Sequence, residues 1–343
     1  MKKSILALAL LSATSGAALA QSSVTIYGIL DAGVAYKDAG AGSVRSLDSG
    51  LNSTSRLGFK GSEALSGGLK ANFNLEMGLK SDTGANDANL FARGAWVGLS
   101  SDDFGAVNLG KHKSLTYVYG AQIDPFADGL LGKTDLMFKI NTVRDNSITY
   151  ISNSFGGGFS GAAQYGFGEA AGNATANRVT SIAGAYANGP LMANIVWDQT
   201  KDAKGNQALA AKETGDRLLA GISYDFGKDF YNVKLHAMYE EISGAPIDVK
   251  KDTRETKEQL YVVGASIKDG ASTYMMSYTN SDVKTIVKSN SNRIALGYTY
   301  NLSTRTNLYT SLARVSNEAN VKTLADANGA TARLFNVGIR HKF

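Results

Sequence analysis

Two basic residues alternate with apolar ones in a pattern that could hold positive charge along a wet surface. In residues 56–60, Arg56 and Lys60 share one parity, whereas Leu57 and Phe59 share the other. Successive side chains of a β-strand point to opposite faces, so a strand here would present both cations on one face. Fixed cations beside a water-filled path attract anions. The chemistry open to this segment is therefore ion selection, if the strand lines such a path, and the alternative is a pair of ordinary solvated basic residues.

Catalytic chemistry has little support in the sequence. The chain contains no cysteine, and its three histidines, His112, His236 and His341, show neither an HExxH motif nor the spacing of a metal site. Residues 156–161 (GGGFSG) match GxGxxG, but they open a predicted strand, so no helix N-terminus is available to hold a pyrophosphate. We therefore expect no enzyme, no cofactor and no metal site.

The elements that must position the charges are strands with two unlike faces. Between residues 69 and 79, Leu69, Phe73 and Leu75 lie on an apolar face, while Lys70 and Glu76 lie on a polar one. This period of two is typical of a half-buried strand. The same alternation recurs in residues 24–34, 159–167, 191–197, 218–226, 233–239, 261–267, 294–302 and 335–343. In total sixteen strands can be placed, with an ambiguous phase near residues 91–99, 137–152 and 178–186.

The connections alternate between tight turns and longer polar loops, such as residues 37–54 and 113–135, which predicts an antiparallel up-and-down sheet. The apolar faces need an apolar partner, which is either a second sheet in a soluble protein or the lipid around a barrel. Lipid is favoured because closure removes the exposed strand edges and because aromatic residues end the apolar faces, as they do in interfacial girdles. These aromatic residues are Tyr27, Tyr36, Tyr165, Phe167, Tyr224, Phe226, Tyr298 and Tyr300. We expect an all-β, sixteen-stranded antiparallel transmembrane β-barrel.

Residues 1–20 have the pattern of a secretory signal peptide. Lys2 and Lys3 precede an apolar run, and Ala18-Leu19-Ala20 completes a cleavage site. A membrane anchor is disfavoured because the apolar run is much shorter than the roughly 20 residues of a spanning helix. Removal of the peptide would lower the net charge from +5 to +3, which is no nucleic-acid signature. The predicted domains are a signal peptide, 1–20, and a barrel, 21–343.

Several segments from the first strand to the last resemble the general porins of beta-proteobacteria, the family that includes the neisserial porins. They are residues 22–28 (SSVTIYG), 55–63 (SRLGFKGSE), 67–71 (GGLKA), 91–99 (FARGAWVGL), 145–150 (DNSITY) and 338–343 (GIRHKF). The resemblance implies an outer-membrane barrel of sixteen strands, a homotrimer, and passive diffusion of small hydrophilic solutes. It also implies that the third long loop, residues 113–135, folds inward and narrows the lumen.

The resemblance further implies that basic residues face the third loop across a constriction. Strand phase gives Arg56 and Lys60 as selectivity residues, the resemblance adds Arg93 and Arg144, and Lys111 just before the loop is a further candidate. The alternative for each is an ordinary solvated basic residue. Asp124 and Asp128, with Asp135, either oppose these cations from the loop or serve its solubility or the N-cap of a short helix. The loop departs from the family at residues 124–129 (DPFADG), and Lys111 stands where the family often has arginine.

The register of two of these arginines conflicts with the alternation. Arg93 shares its parity with Phe91 and Val97, and Arg144 shares its parity with Ile148. An arginine facing lipid at the bilayer midplane would cost about 2–4 kcal/mol. Either a β-bulge resets the register, or these arginines lie beyond the lipid band.

The sequence thus predicts an outer-membrane porin with a mild preference for anions. Its expected partners are a homotrimer, outer-membrane lipid, and small hydrophilic solutes and anions, with no nucleic acid. An alternative is an outer-membrane barrel that acts mainly in surface adhesion or interaction through its long loops. A more distant alternative is a soluble periplasmic β-protein.

Overall fold

The strands form a single antiparallel sheet that closes on itself. A computed structural model describes residues 23–86, 89–138, 140–201, 215–246 and 255–343, so the predicted signal peptide lies outside the described residues. The sheet contains 17 strand segments, and closure follows because the first pairs with the last. The segments are β1 (Ser23–Asp38), β2 (Ser43–Ser49), β3 (Arg56–Ala64), β4 (Leu69–Gly78), β5 (Gly94–Ser101), β6 (Gly105–Lys113), β7 (Val143–Ile151), β8 (Phe159–Gly166), β9 (Val179–Asn188), β10 (Leu191–Thr200), β11 (Asp216–Asp225), β12 (Val233–Pro246), β13 (Glu255–Asp269), β14 (Ser272–Val283), β15 (Ser291–Asn301), β16 (Thr306–Asn317) and β17 (Ala332–Lys342).

The barrel has sixteen strands because β2 and β3 are two parts of one strand. Both pair with β1: β2 pairs with residues 32–38 of that strand, and β3 pairs with its residues 23–29. Residues 43–49 were expected within a long polar loop, 37–54, and that boundary was wrong. The charged and polar residues of β2 hid a strand that alternates only weakly. The predicted fold class, a closed antiparallel barrel of sixteen strands, is confirmed.

The two faces of each strand differ as the alternation predicts. On β10, Ile195 is 52% exposed on the outer face, whereas its neighbour Val196 is fully buried on the inner face. On β4, Glu76 pairs with Gly58 and faces inward with the other even-numbered residues. Tyr27 was expected in the outer aromatic girdle, but its hydroxyl donates a hydrogen bond to Glu76 inside the barrel (2.9 Å). None of the described helices is long and apolar enough to cross a bilayer.

The segment between β6 and β7 lies inside the barrel, and we call residues 114–138 the inward loop. It begins with helix α1 (Leu115–Ile123), whose N-cap, Ser114, accepts a hydrogen bond from the backbone N–H of Tyr117 (3.1 Å). Leu115 and Ile123 of α1 pack against inner-face residues such as Leu219 of β11. The loop thus continues beyond the predicted boundary at residue 135.

The second half of the inward loop follows the inner wall to the opposite strands. Phe126 and Leu130 pack with Met275 of β14, Ala295 of β15 and Tyr309 of β16. The buried apolar side chains of this protein therefore lie between the loop and the wall. The apolar side chains of the outer face are exposed.

Glycines on the inner wall allow the close approach of the loop. A Cβ atom on Gly297 would lie 2.6 Å from Cε1 of Phe126, and one on Gly264 would lie 2.5 Å from Cγ of Pro125. Real Cβ atoms do not make such short contacts, so only glycine leaves room here.

Polar side chains of the wall hold the backbone of the loop. Asn194 donates to the carbonyl of Tyr119 (2.8 Å), and Nδ1 of His236 donates to that of Ile123 (2.7 Å). Fully buried Arg293 donates to the carbonyls of residues 133 (2.8 Å) and 132 (2.7 Å). Each of these carbonyls thus has a donor, and the path of the loop along the wall is fixed.

Candidate functional site

A carboxylate on the inner wall brings two of the predicted arginines together. Glu76 of β4 lies 2.8 Å from Nε of Arg93 and 3.9 Å from Nη1 of Arg56, measured from the same oxygen, Oε1. The other oxygen, Oε2, accepts the hydroxyl of Tyr27. Arg56 pairs with Ile29 of β1 and faces inward, as its parity predicted. The wall therefore carries a compact group of two guanidinium ions around one carboxylate.

Arg93 and Arg144 share the parity of apolar, outward-facing residues, and the reason that neither faces lipid differs between the two. Arg93 precedes β5, which begins at Gly94, so the alternation of that strand does not apply to it. Arg144 lies in β7 beyond a register shift, where Gly110 pairs with Ser147 but His112 pairs with Arg144. The backbone of Asn146 has a φ of +48° inside this bulge. The predicted bulge is thus present at Arg144.

Arg144 nevertheless does not join Arg56 and Arg93. Its Nη2 lies 2.8 Å from Oδ2 of Asp198 on β10. The same oxygen accepts the hydroxyl of Thr116 in α1 (3.2 Å). Arg144 therefore holds the carboxylate of Asp198, and that carboxylate joins helix α1 to the wall through Thr116.

Two other predicted residues also lie away from the group. Lys111 pairs with Ala95, an outward position, and its ammonium makes an ion pair with Asp145. Asp124 is buried, and its oxygens accept the backbone N–H groups of Phe126 and Thr134, both at 2.9 Å. Burial raises the pKa of Asp124 to about 6. The structure therefore places Lys111 on the outer surface and Asp124 within the inward loop.

Charges from the loop face the wall group across a small polar niche. Lys133 and Asp135 form an ion pair (3.2 Å), and the hydroxyl of Tyr117 donates to Asp128. Lys113, at the end of β6, places its ammonium 5.2 Å from the ring centroid of Tyr117. We call this niche the constriction. Its charged lining residues are Arg56, Arg93, Lys113, Lys133, Asp128 and Asp135.

The sequence reasoning missed Lys113, Lys133, Tyr117 and Glu76. Lys113 shares the parity of the outward residue Leu109, so parity predicts the outer face, but it ends its strand where the chain turns into the lumen. Lys133 lies within the predicted loop, two residues before Asp135, and the prediction for that loop named only acids. Glu76 was assigned correctly to the wet face, and its position opposite Arg56 required the pairing of β3 with β4.

Lys60 faces the lumen as predicted, but at another depth. Its ammonium lies 5.3 Å from the ring centroid of Tyr27. Four residues of strand separate it from Arg56, which is roughly 13 Å along the wall. It lines a vestibule toward the short-turn end of the barrel, together with Asn74 and Trp96.

The constriction combines fixed charges of both signs. Four cations and two carboxylates line it, and Glu76 adds a third carboxylate behind the arginines. Within the described ranges, no three acidic or histidine side chains are arranged to hold a metal ion. The arrangement can therefore orient and sort ions by charge.

Known proteins that resemble this chain in sequence and in fold are porins. The family model for Gram-negative porins matches residues 7–320. The chain is 37% identical to outer membrane porin protein 32 of Delftia acidovorans and 35% identical to an outer membrane porin protein of Bordetella pertussis, over the full length of each pair. It also superimposes on an anion-selective porin from Comamonas acidovorans with a TM-score of 0.80 and 31% identity, covering 94% of this chain and all of that one.

The chain belongs to the Gram-negative porin family. This porin is a protein of the bacterial outer membrane. Its closed barrel encloses a water-filled channel for small hydrophilic solutes.

Proposed function

We propose that the constriction gives this porin a mild preference for anions. The observation that carries the proposal is the excess of cations at the niche, where four basic side chains outnumber the two acids, and Glu76 still leaves one positive charge in excess. The similar porin from Comamonas acidovorans is described as anion-selective. The residues proposed to set the preference are Arg56, Arg93, Lys113 and Lys133.

The arginines are held in a way that favours contact with passing anions. Nε of Arg56 donates to the carbonyl of Thr54 (3.0 Å), and Nε of Arg93 donates to Glu76 (2.8 Å). The protein thus uses the Nε edge of each guanidinium. Of the terminal nitrogens, Nη1 of Arg56 lies 3.9 Å from Oε1 of Glu76, which is an ion pair and longer than a hydrogen bond. We propose that the terminal nitrogens of both side chains meet passing anions.

The expected preference is small because the pore is wet. One charge about 4 Å from an ion contributes about 1 kcal/mol at the dielectric constant of water, and about 4 kcal/mol at an effective value near 20. A water-filled channel lies nearer the lower value, and the acids of the inward loop cancel part of the effect. Only charges within a Debye length of the ion, ~10 Å at 0.1 M salt, contribute strongly.

The test is the reversal potential of purified porin in planar bilayers with a gradient of potassium chloride. We expect a several-fold preference for chloride over potassium, which shrinks as the salt concentration rises. Arg56→Ala is expected to reduce the preference while the channel still conducts. Lys111→Ala is the matched control, because it removes the same charge from the outer face. A preference for potassium at 0.1 M salt, or an equal effect of the two variants, would refute the assignment.

We also propose that the porin is a homotrimer, as its resemblance to the family implies. Cross-linking of the detergent-purified protein, followed by denaturing electrophoresis, tests this. Trimers are the expected product, and monomers at every concentration of cross-linker would contradict the proposal.

A further inference from the structure

A second segment besides the inward loop enters the lumen. Residues 50–55, which we call the inner turn, interrupt one barrel strand between β2 and β3. Asn52 and Ser55 are buried, with 6% and 0% of their surface exposed. Gly50, Asn52, Ser53 and Thr54 also line the constriction. Residues 50–55 thus belong to no strand, and the turn that they form lies beside the constriction.

A single fully buried carboxylate, Asp31 of β1, holds the inner turn. Its Oδ2 accepts the N–H groups of Ser53 (2.8 Å) and Asn52 (3.2 Å), and its Oδ1 accepts the hydroxyl of Tyr309 (2.6 Å). The hydroxyl of Ser55 donates to the carbonyl of Asp31 (3.1 Å). A buried charge is tolerated only when it is well hydrogen-bonded, and these donors meet that condition.

The inner turn contacts the tip of the inward loop. Leu51 packs against the cluster that contains Phe126 and Leu130. A Cβ atom on Gly129 would lie 2.5 Å from Oδ1 of Asn52, so the two segments are in close contact. The inner turn therefore limits how far the loop tip can move.

The inner turn also orients two guanidinium groups of the wall. Its Thr54 carbonyl accepts Nε of Arg56 (3.0 Å), and its Ser53 hydroxyl accepts Nη1 of Arg340 (2.7 Å). Arg340 of β17 pairs with Asp31 and faces inward. Both arginines are thus held by atoms of the turn.

We propose that the inner turn is a second constriction element, and that Asp31 is its positioning residue. Asp31 acts through the turn: it holds the acceptors that orient Arg56 and Arg340 and supports the tip of the inward loop. This inference rests on the proposed anion preference, since it explains how Arg56, one of the cations that produce the preference, keeps its place, and it adds Arg340 to those cations.

Asp31→Ala separates this role from a purely electrostatic one. Asp31 is a negative charge near the pore, so its removal would raise the preference for chloride if only its charge mattered. If it positions the arginines, its removal lowers the preference and raises the single-channel conductance, because the turn and the loop tip gain freedom. We expect the chloride preference to fall by about twofold, which is less than one elementary charge contributes close to the ion in water. An increased preference with unchanged conductance would overturn the proposal.

Ser53→Ala is a second variant that keeps the proposal testable if Asp31→Ala does not fold. It removes one acceptor from Arg340 and leaves Asp31 and its donors intact. We expect a smaller fall in chloride preference, with wild-type yield of folded protein. A wild-type preference in this variant would count against the inference. Absence of any anion preference in the unmodified porin would instead refute the proposed function, so the two failures are distinguishable.

Discussion

Charged residues that are close in sequence lie in different environments in this barrel. The parity of a residue within its strand determines in most cases whether its side chain faces the lumen or the outer surface. Arg56 and Lys60 could be assigned to the lumen from sequence because Leu57 and Phe59 between them are apolar. Lys111 could have been assigned in the same way, because it shares its parity with Leu109, which is 50% exposed on the outer face. Resemblance to the family placed it in the constriction instead, and the strand pairing corrects this.

Arg144 shows where parity alone fails. One extra residue in β7 opposite β6 reverses the phase between Ser147 and Arg144. Nothing in the composition of residues 143–151 marks that bulge beyond Asn146, a residue type that tolerates a positive φ. The partner of Arg144, Asp198, lies 54 residues away and could not be identified without the fold.

At this scale we predict that acidification increases the preference for chloride. Burial raises the pKa of Asp128, so this carboxylate takes up its proton at a higher pH than an exposed aspartate. Protonation removes a negative charge from the constriction while the arginines stay charged. The chloride preference should therefore rise by a few-fold at most as the pH falls through the titration of Asp128. Reversal potentials measured from neutral to mildly acidic pH check this.

Asp128→Asn is the control for that prediction. The variant should show a higher chloride preference at neutral pH, and a smaller further increase on acidification. A pH dependence as large as that of the unmodified porin would show that another group is responsible.

At the scale of elements, the inward loop depends on residues far from it in sequence. Pro125 and Phe126 lie against Gly264 and Gly297, in β13 and β15. The sequence showed that residues 113–135 form the third long loop, and the resemblance implied that it folds inward. Neither could show which strands would receive it, because the glycines that make room are spaced like any other inner-face residues.

Gly297→Val is predicted to lower the single-channel conductance. The new side chain would occupy the space of the Phe126 ring and displace the loop tip from the wall toward the constriction. Overpacking of this kind costs typically about 1–3 kcal/mol. Gly184→Val is the matched control, because Gly184 lies on β9 with its nearest neighbouring atom 3.9 Å from the position of a Cβ. Equal conductance of the two variants would contradict the role assigned to Gly297.

At the scale of the whole molecule, the barrel is joined at its first and last strands. The N–H of Phe343 donates to the carbonyl of Gly28 (3.1 Å), and its own carbonyl accepts the N–H of Gly28 (3.0 Å). A Cβ atom on Gly28 would lie 2.2 Å from Cζ of the Phe343 ring. The terminal aromatic ring therefore covers a glycine of the opposite strand, and the pair completes the closed sheet.

Gly28→Val and deletion of Phe343 are both predicted to reduce assembly. The valine would collide with the aromatic ring, and the deletion would remove two backbone hydrogen bonds and expose strand edges. The measurement is the fraction of chain that resists denaturation in unheated samples on electrophoresis. Gly161→Val, on the outer face of β8 with its nearest neighbouring atom 3.6 Å away, is the control. Wild-type assembly of both variants would show that the contact between Gly28 and Phe343 is not required for closure of the barrel.

The pairing of β1 with β17 has a consequence for the timing of folding. These strands stand at opposite ends of the described chain, so their contacts have the greatest separation in sequence that the barrel contains. Contacts between distant residues form slowly, because a long segment must lose its freedom before they contribute. Until the last residues arrive, every intermediate sheet has two free edges that can pair with a neighbouring chain. We therefore expect the refolding yield to fall steeply with protein concentration, and refolding in dilute lipid vesicles to give more closed barrels than refolding at high density.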